Sequence, residues 1–345
     1  MTTPLSIYYN PTAGAGGAQR VLKEVEALLN THHIQYTIYN AASADKSTIC
    51  NTASADKSTI YNTASADKST IYNTASADKS TIYNTASADK STIYNTASAD
   101  KSTIYNTASA DKSTIYNKDI LLIGGDGTFN TLLNQLPHPE QHRFILLPAG
   151  TSNSLCSQIS PKEDAIRKLN RYLTNPQFIK VDLPQVTCNN TTYRFINEAS
   201  VGFAAAIART IEKSKTKKVF NALHLNELGY IFTAFRCWRK DEPYMLSLCN
   251  NKRISGNLFP CPQARIDDGR IDVYELQCNR IRLPFELTRL VGATSDTTST
   301  AIRRSQMKEG VWHFDKPLPV EVDGNPVGET TQLTLSLYPH QLQII

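Results

Sequence analysis

The sequence predicts an N-terminal α/β domain on a parallel sheet, followed by a C-terminal antiparallel β-sandwich domain. Three observations carry that expectation. Strand-like and helix-like segments alternate in the first half, and short strand-like runs between turn residues fill the second. Glycine-rich loops also follow strands and precede helices. A chain of 345 residues, 40% hydrophobic and 19% charged, has the length and composition for two domains with ordinary cores.

In order, Leu5–Tyr9 reads as a strand and Ala18–Leu29 as a helix with Val21, Val25, Leu28 and Leu29 on one face. His33–Tyr39 reads as a second strand, and Asp119–Ile123 as a third that runs into glycines. Phe129–Leu136 begins the next helix, and Phe144–Leu147 is a fourth strand ending at Pro148. This β-α-β order implies ligands at the C-terminal ends of the strands. Further on, Tyr193–Asn197, Met245–Cys249, Ile271–Leu276, Val320–Val322 and Leu333–Leu337 are short strand-like runs, interrupted by a helical segment at about Ala222 to Arg239. The expected division is 1–160 for the nucleotide domain, with an insertion at 37–117, then 161–336 for the β-rich domain. Residues 337–345 form a strand returning to the first domain.

The insertion is a tandem repeat. From Thr37 to Ser113 the unit TIYNTASADKS recurs every 11 residues, seven times, and TIYN opens an eighth copy at Thr114. Ala41 in place of Thr and Cys50 in place of Tyr are the departures. Eleven residues make three helical turns, which would stack Ile60, Tyr61 and Ala64 on one stripe with Ile71, Tyr72 and Ala75. The Ser, Thr and Asn content opposes a helix, while STIYNT suits a strand in a solenoid, although no Gly or Pro marks the corners. Low hydrophobicity leaves disorder as a third reading. An in-frame expansion in a surface connection accounts for the repeat without a function of its own.

Three loops carry chemistry. Asn10-Pro11-Thr12-Ala13-Gly14 leaves the first strand, and its small residues let backbone approach a ligand. Gly124-Gly125-Asp126-Gly127-Thr128-Phe129-Asn130 has the same strand–loop–helix layout in tighter form, the pattern of a phosphate-binding turn. Here Asp126 is suited to orient a hydroxyl, an amide or a magnesium-bound water, and Thr128 to cap the helix. No Lys-Ser/Thr pair follows, so this is not a Walker A loop. The strand FILLP then brings Gly150, Thr151 and Asn153 to the same sheet edge.

NPTAGAGG, GGDGTFN, PAGTSN, NEASVGF, the P-x-A-x-x-x-D-G run at Pro262–Gly269 and VDG at Val322–Gly324 occur in one order. That series resembles the diacylglycerol kinase catalytic-domain family, which includes bacterial lipid kinases and sphingosine kinases. The resemblance spans nearly the whole chain except the repeat. GGDGT alone is shared with NAD kinases and phosphofructokinases, and an NAD kinase is the weaker alternative. The resemblance implies an NAD kinase-like nucleotide domain and ATP- and Mg²⁺-dependent phosphorylation of a lipid hydroxyl, on diacylglycerol or a relative. By position, Asn10 to Gly14, Gly124 to Asn130 and Thr151 would line the ATP phosphates. Asp268, with backbone oxygens near Arg265 and Arg270, would form the magnesium site. The family's threonine after the second strand falls inside the repeat, at Ala41 or a later Thr.

The chain also departs from the family. Asn325 stands where a Glu serves the family as general base, and an amide accepts no proton. Asp126, Asp323 and Asn325 are the candidate catalytic positions, with Asp323 or water left to take the proton. Thr131, Ser154 and Ala204 replace a Glu, an Asp and a Gly-Phe-Asp position in turn. A loose phosphoryl-transfer transition state asks little of a base, so a slow enzyme and a non-catalytic nucleotide- or lipid-binding regulator are both compatible with the motifs.

The remaining features narrow partners and compartment. A net charge of +5 indicates no large nucleic-acid footprint. Seven scattered cysteines show no C-x-x-C pair or zinc spacing. The N-terminus lacks a signal-peptide pattern and no apolar run is long enough to span a bilayer, so a cytoplasmic protein is expected. A basic cluster, Lys213, Lys215, Lys217 and Lys218, lies near Tyr230, Phe232, Phe235 and Trp238, with Arg236, Arg239 and Lys240 close by. It suits peripheral contact with a membrane holding the lipid substrate, but also a solvated lysine face beside a core helix. Oligomeric state is open, and a homodimer is allowed.

Overall fold

The computed structural model describes residues 5–41, 48–53, 57–64, 68–75, 79–86, 90–97, 102–107, 118–150, 153–160, 163–213, 237, 243–252, 259–290 and 299–345. The parallel half of the fold is β1 (Leu5–Tyr9), α1 (Gly17–Thr31), β2 (Tyr36–Ala41), then β9 (Asp119–Gly124), α2 (Asp126–Gln135) and β10 (Arg143–Pro148). β1 pairs in parallel with β2 on one side and β9 on the other, and β9 pairs with β10. Alternation sends Ile120 and Leu122 into one core cluster with Phe129, Leu132 and Phe144. Leu121 and Ile123 enter another with Val21, Val25 and Leu29. Both faces are apolar because helices cover both, as a parallel sheet requires.

The repeat forms strands, not a helix: β3 (Thr48–Ala53), β4 (Lys57–Ala64), β5 (Lys68–Ala75), β6 (Lys79–Ala86), β7 (Lys90–Ala97) and β8 (Ser102–Thr107). Successive copies alternate between two sheets. β2, β4, β6 and β8 continue the main sheet outward from β1, and β3, β5 and β7 form a separate three-stranded sheet. Pairing is parallel and in register, Ile60 with Ile82 and Ile82 with Ile104. Of the three readings open from the sequence, the stacked strands are the one observed, and the helical stripe is not. β-branched Thr and Ile with Tyr outweigh the helical match of the period, and two copies, 22 residues, make one coil.

The second half runs through α3 (Ser154–Ile159), α4 (Ala165–Thr174), β11 (Ile179–Cys188), β12 (Thr191–Arg194), β13 (Glu198–Gly202) and α5 (Phe203–Lys213). It continues with β14 (Tyr244–Cys249), β15 (Ile271–Gln277), α6 (Leu283–Thr288), β16 (Ile302–Met307), β17 (Glu309–Val322) and β18 (Asn325–Ile344). The order β16-β15-β14-β13-β17-β18 is antiparallel throughout, and β11 pairs antiparallel with β18. One core gathers Val186, Val201, Leu246, Val273, Val320 and Leu335 from those strands. β18 also joins the parallel half, with Arg143 opposite Gln343 and Phe144 opposite Ile344. The result is one mixed sheet path in which β17 and β18 replace the two short strands expected there.

Several boundaries move. The second strand begins at Tyr36 because His33 takes a left-handed turn, φ 53°. α2 begins at Asp126, three residues before the expected start, and β12 ends at Arg194 instead of continuing to Asn197. Ala41 ends β2 and packs against the first core cluster, with Thr63 beside it one strand further out. The segment at Ala222–Arg239 lies outside the described residues apart from Cys237. No helix among the described residues is long and apolar enough to cross a membrane.

Because all copies are nearly identical, a shortened repeat re-threads and only its parity changes. Deleting two copies, residues 57–78, is expected to leave the melting temperature within a few degrees. Deleting one copy, residues 57–67, puts the last strand on the other sheet and is expected to lower it clearly. Circular dichroism melts of both deletions check this, and equal melting temperatures would refute it.

Candidate active site

Three loops leave the C-terminal ends of β1, β9 and β10 and meet. Asn10 donates its backbone N–H to the Ile123 carbonyl at 3.1 Å and its side-chain amide to Thr128 Oγ1 at 3.1 Å. Its Oδ1 accepts from Thr12 N at 3.0 Å and Thr12 Oγ1 at 2.8 Å, folding the loop through Pro11 and Ala13 back on itself. Gly14, at φ 61°, lies against Ala149, where a Cβ would stand 2.1 Å from the carbonyl oxygen. The other two loops touch through glycine backbone. A Cβ on Gly150 would sit 2.5 Å from the Gly125 Cα. Ala149 N donates to the Gly124 carbonyl at 2.8 Å. Asn153 closes the third loop, its Oδ1 accepting from Gly150 N at 3.0 Å and its Nδ2 donating to Gly150 O at 2.8 Å. Thr151 lies outside the described residues.

α2 opens directly on this glycine contact, so its N-terminal amides and positive dipole end stand at the sheet edge. Its cap position is Gly125 and makes no side-chain bond, which corrects the expectation that Thr128 caps the helix. Thr128 is instead buried and held by Asn10. Asp126 accepts from Ser154 N at 2.7 Å and Leu155 N at 3.2 Å, tying the glycine turn to the start of α3. Gly127 has open space around it, whereas Phe129 is core.

Asn130 connects this turn to the second half of the chain. Its Nδ2 donates to Asp323 Oδ2 at 2.8 Å and to the Arg194 carbonyl at 2.9 Å. Asp323 also accepts from the backbone of Ile196 at 2.9 Å, Asn197 at 2.8 Å and Glu198 at 3.1 Å. Burial pushes its carboxyl up to about 6, but all four donors favour the ionised form. Both oxygens are thus engaged, a geometry for positioning more than for proton abstraction. Asp323 (φ 47°) and Gly324 (φ 82°) are the central residues of the two-residue β17–β18 hairpin, and both take the left-handed conformation that a type I′ turn needs. Asn325 follows, exposed at the start of β18.

The loop 262–270 lies beside β11. Asp182, buried, accepts from Gly269 N at 2.7 Å and His340 N at 2.8 Å. Asp268 is exposed and accepts from Arg270 N at 3.1 Å, while Arg265 pairs with Asp267 at 3.1 Å. Among the described residues no group of three His, Cys, Asp or Glu is arranged to hold a metal. One exposed carboxylate fits a magnesium ion shared with phosphates and water, and not an all-protein cage.

Sequence reasoning missed four residues. Arg194 donates to the carbonyls of Leu133 at 2.8 Å, Leu136 at 2.6 Å and Pro137 at 3.2 Å, closing the C-terminal end of α2. Glu198 and Glu321 are buried beneath the hairpin, where Glu321 accepts from Ser200 Oγ at 2.6 Å and Gly324 N at 2.6 Å. Burial lifts the Glu321 carboxyl to about 7; burial and then the Glu321 charge raise Glu198. Both glutamates stand in or beside quoted motifs, whereas Asp182 and Arg194 carry no local signal.

A family model described as "Diacylglycerol kinase catalytic domain" matches residues 58–186. A "Probable lipid kinase YegS-like" protein of Stenotrophomonas maltophilia is 25% identical over 255 residues, 65% of this chain and 77% of that protein. A protein of the same description from Shewanella frigidimarina is 24% identical over 243 residues, 66% of this chain and 75% of its own. The crystal structure of a diacylglycerol kinase from Bacillus anthracis superposes with TM-score 0.54 at 14% identity, covering 99% of this chain and 96% of the other, a likeness of fold.

Two tests follow from the geometry. Gly150→Ala forces a methyl into the Gly125 backbone and is expected to cost about 1–3 kcal/mol, read as a lower denaturant midpoint. Glu198 and Glu321 hold protons in the folded state at pH values where the unfolded chain has lost them, so folding takes up protons. Their stabilising share is complete below about pH 4.3, the unfolded value, and that of Glu321 is lost as pH rises through about 7. Melting temperature should therefore fall between roughly pH 5 and 7.5, and the slope should flatten in Glu198→Gln/Glu321→Gln. The match of the family model to residues 58–186 and the curated relatives described as lipid kinases make the chain similar to the diacylglycerol kinase catalytic-domain family.

Proposed function

We propose that the protein is an ATP- and Mg²⁺-dependent lipid kinase that transfers the γ-phosphoryl group to a lipid hydroxyl, on diacylglycerol or a related lipid. The observation that carries this reading is the backbone contact between Gly125 and Gly150 beside the N-terminus of α2, with Asn10 bonded to Thr128. Such a site favours a polyphosphate, because small residues admit its oxygens and the helix dipole opposes its charge. The relatives' descriptions as lipid kinases support the acceptor class.

In this reading Asn10 to Gly14 and Gly124 to Thr128 hold the phosphates. Gly150, Thr151 and Asn153 close the third side. Asp126 fixes the turn against α3. Asn130 and Asp323 set the turn's position relative to the acceptor half, and residues 1–160 and 161–336 act as nucleotide and lipid domains, with 337–345 returning to the first. Asp268 with the carbonyls of Arg265 and Arg270 would hold magnesium, which when bound neutralises phosphate charge. Phosphoryl transfer rests on positioning and charge stabilisation, so the reaction tolerates a weak base.

A second reading has one specific observation behind it. At Asn325 the chain presents an exposed amide, and Asp323 is fully engaged. A protein that binds nucleotide or lipid without turnover fits that geometry. Purified protein with γ-labelled ATP, Mg²⁺ and a panel of lipids separates the two. Labelled lipid is expected, rising by up to about 10²-fold in Asn325→Glu if a base is what the wild type lacks. ATP binding with no labelled lipid from either protein would sink the kinase reading in favour of the second.

A further inference from the structure

We propose that α6 and the turn leading into it form a docking surface for an anionic lipid bilayer. The lipid-kinase reading explains why the protein would visit a membrane; the surface itself is argued from other observations. Ile281 and Phe285 are 76% and 71% exposed, the most exposed large hydrophobic side chains among the described residues. Ile281 lies in the turn that leads into α6, and Phe285 lies in the first turn of the helix itself, four residues on.

The same short segment is anchored from its other side. Leu283 and Leu290 are buried in one cluster with Phe203, Cys261 and Tyr274, and Leu287 packs against it. Glu286, also buried, receives Arg282 at 3.0 Å and Arg289 at 3.2 Å. The segment is therefore fixed to the core while Ile281 and Phe285 face away from it. Single exposed apolar residues are ordinary, but two within five residues of a segment anchored by buried neighbours are less so.

Charge selects the partner. Between Cys278 and Leu290 the chain carries Arg280, Arg282 and Arg289 against one carboxylate, Glu286, a formal excess of +2. Arginines around a pair of protruding apolar side chains complement anionic headgroups over acyl chains. A protein partner is less well matched, since two side chains fall far short of the ~1,200 Å² that a stable interface buries. The patch lies between β15 and β16, and β16 ends the sheet path opposite to β8 of the repeat. A membrane at α6 and the repeat therefore occupy opposite ends of the strand order.

Flotation of the full chain with vesicles of phosphatidylcholine alone, or mixed with phosphatidylglycerol, tests the proposal. Binding is expected to the mixed vesicles and to weaken with salt. Phe285→Ser or Ile281→Ser should lower affinity about tenfold or more, and Arg280→Gln about fivefold. Phosphorylation of a monomeric short-chain diacylglycerol should be unchanged in Phe285→Ser, because α6 packs on the cluster of Phe203, Cys261 and Tyr274 and not on the cores beneath the phosphate loops. No flotation, flotation indifferent to these substitutions, or a dimer in light scattering that Phe285→Ser dissociates would overturn it. Vesicle binding without phosphorylation of any lipid would sink the kinase reading and leave the docking surface standing. Phosphorylation of the soluble lipid without vesicle binding would do the reverse.

Discussion

The hydrogen bond from Asn130 to Asp323, 2.8 Å long across 193 residues of sequence, is the contact on which the site depends. Asn130 lies in the first turns of α2, immediately after the phosphate turn, and Asp323 sits at the tip of the β17–β18 hairpin. The same carboxylate gathers three successive backbone amides from Ile196 to Glu198, so one side chain joins α2, β13 and the hairpin. Arg194 reinforces that joint by closing the far end of α2. A buried carboxylate with four donors is costly to disturb, since each donor left unpaired carries its own desolvation penalty. The glycine turn and the second half of the chain are thereby held in one geometry.

Much of the parallel half was legible in the sequence because its signals are local. Glycine pairs, strand-to-helix order and the unbroken apolar runs of β9 and β10 need no distant partner to be read. The loop convergence was also legible, since the C-terminal edges of neighbouring parallel strands must coincide. Asp182, Arg194 and the buried glutamates could not be found that way. Their roles come from partners far along the chain, and a lone Asp or Arg says nothing about which amide it will meet. The reach of β17 and β18 was hidden for a similar reason: Lys, Glu and Thr on their exposed positions interrupt the apolar pattern that marked only Val320–Val322 and Leu333–Leu337.

The repeat stayed ambiguous in the sequence for a different physical reason. An 11-residue period fits three turns of helix and equally one strand with its corner, so spacing alone does not choose. Residue type does, and Thr, Ile and Tyr in the middle of each copy favour extended backbone. The departure at Asn325 also takes a clearer form. A type I′ turn needs left-handed residues at its two centres, and the chain keeps Asp323 and Gly324 there while changing only the position just beyond. The scaffold of the hairpin is thus independent of the side chain that follows it.

The in-register ladder of the repeat has a kinetic consequence. β1 must pair with β9, which lies more than a hundred residues away, with the whole repeat between them. Closing the longer loop adds little to the equilibrium cost, because that cost grows only logarithmically with length. The search is another matter, since non-local parallel pairing slows folding. Copies of one sequence also bind each other equally well in any order, so β4 can pair with β8 as readily as with β6. The ends of the repeat, where it joins β1 and β9, and the Cys50 copy distinguish the native order from its slipped alternatives.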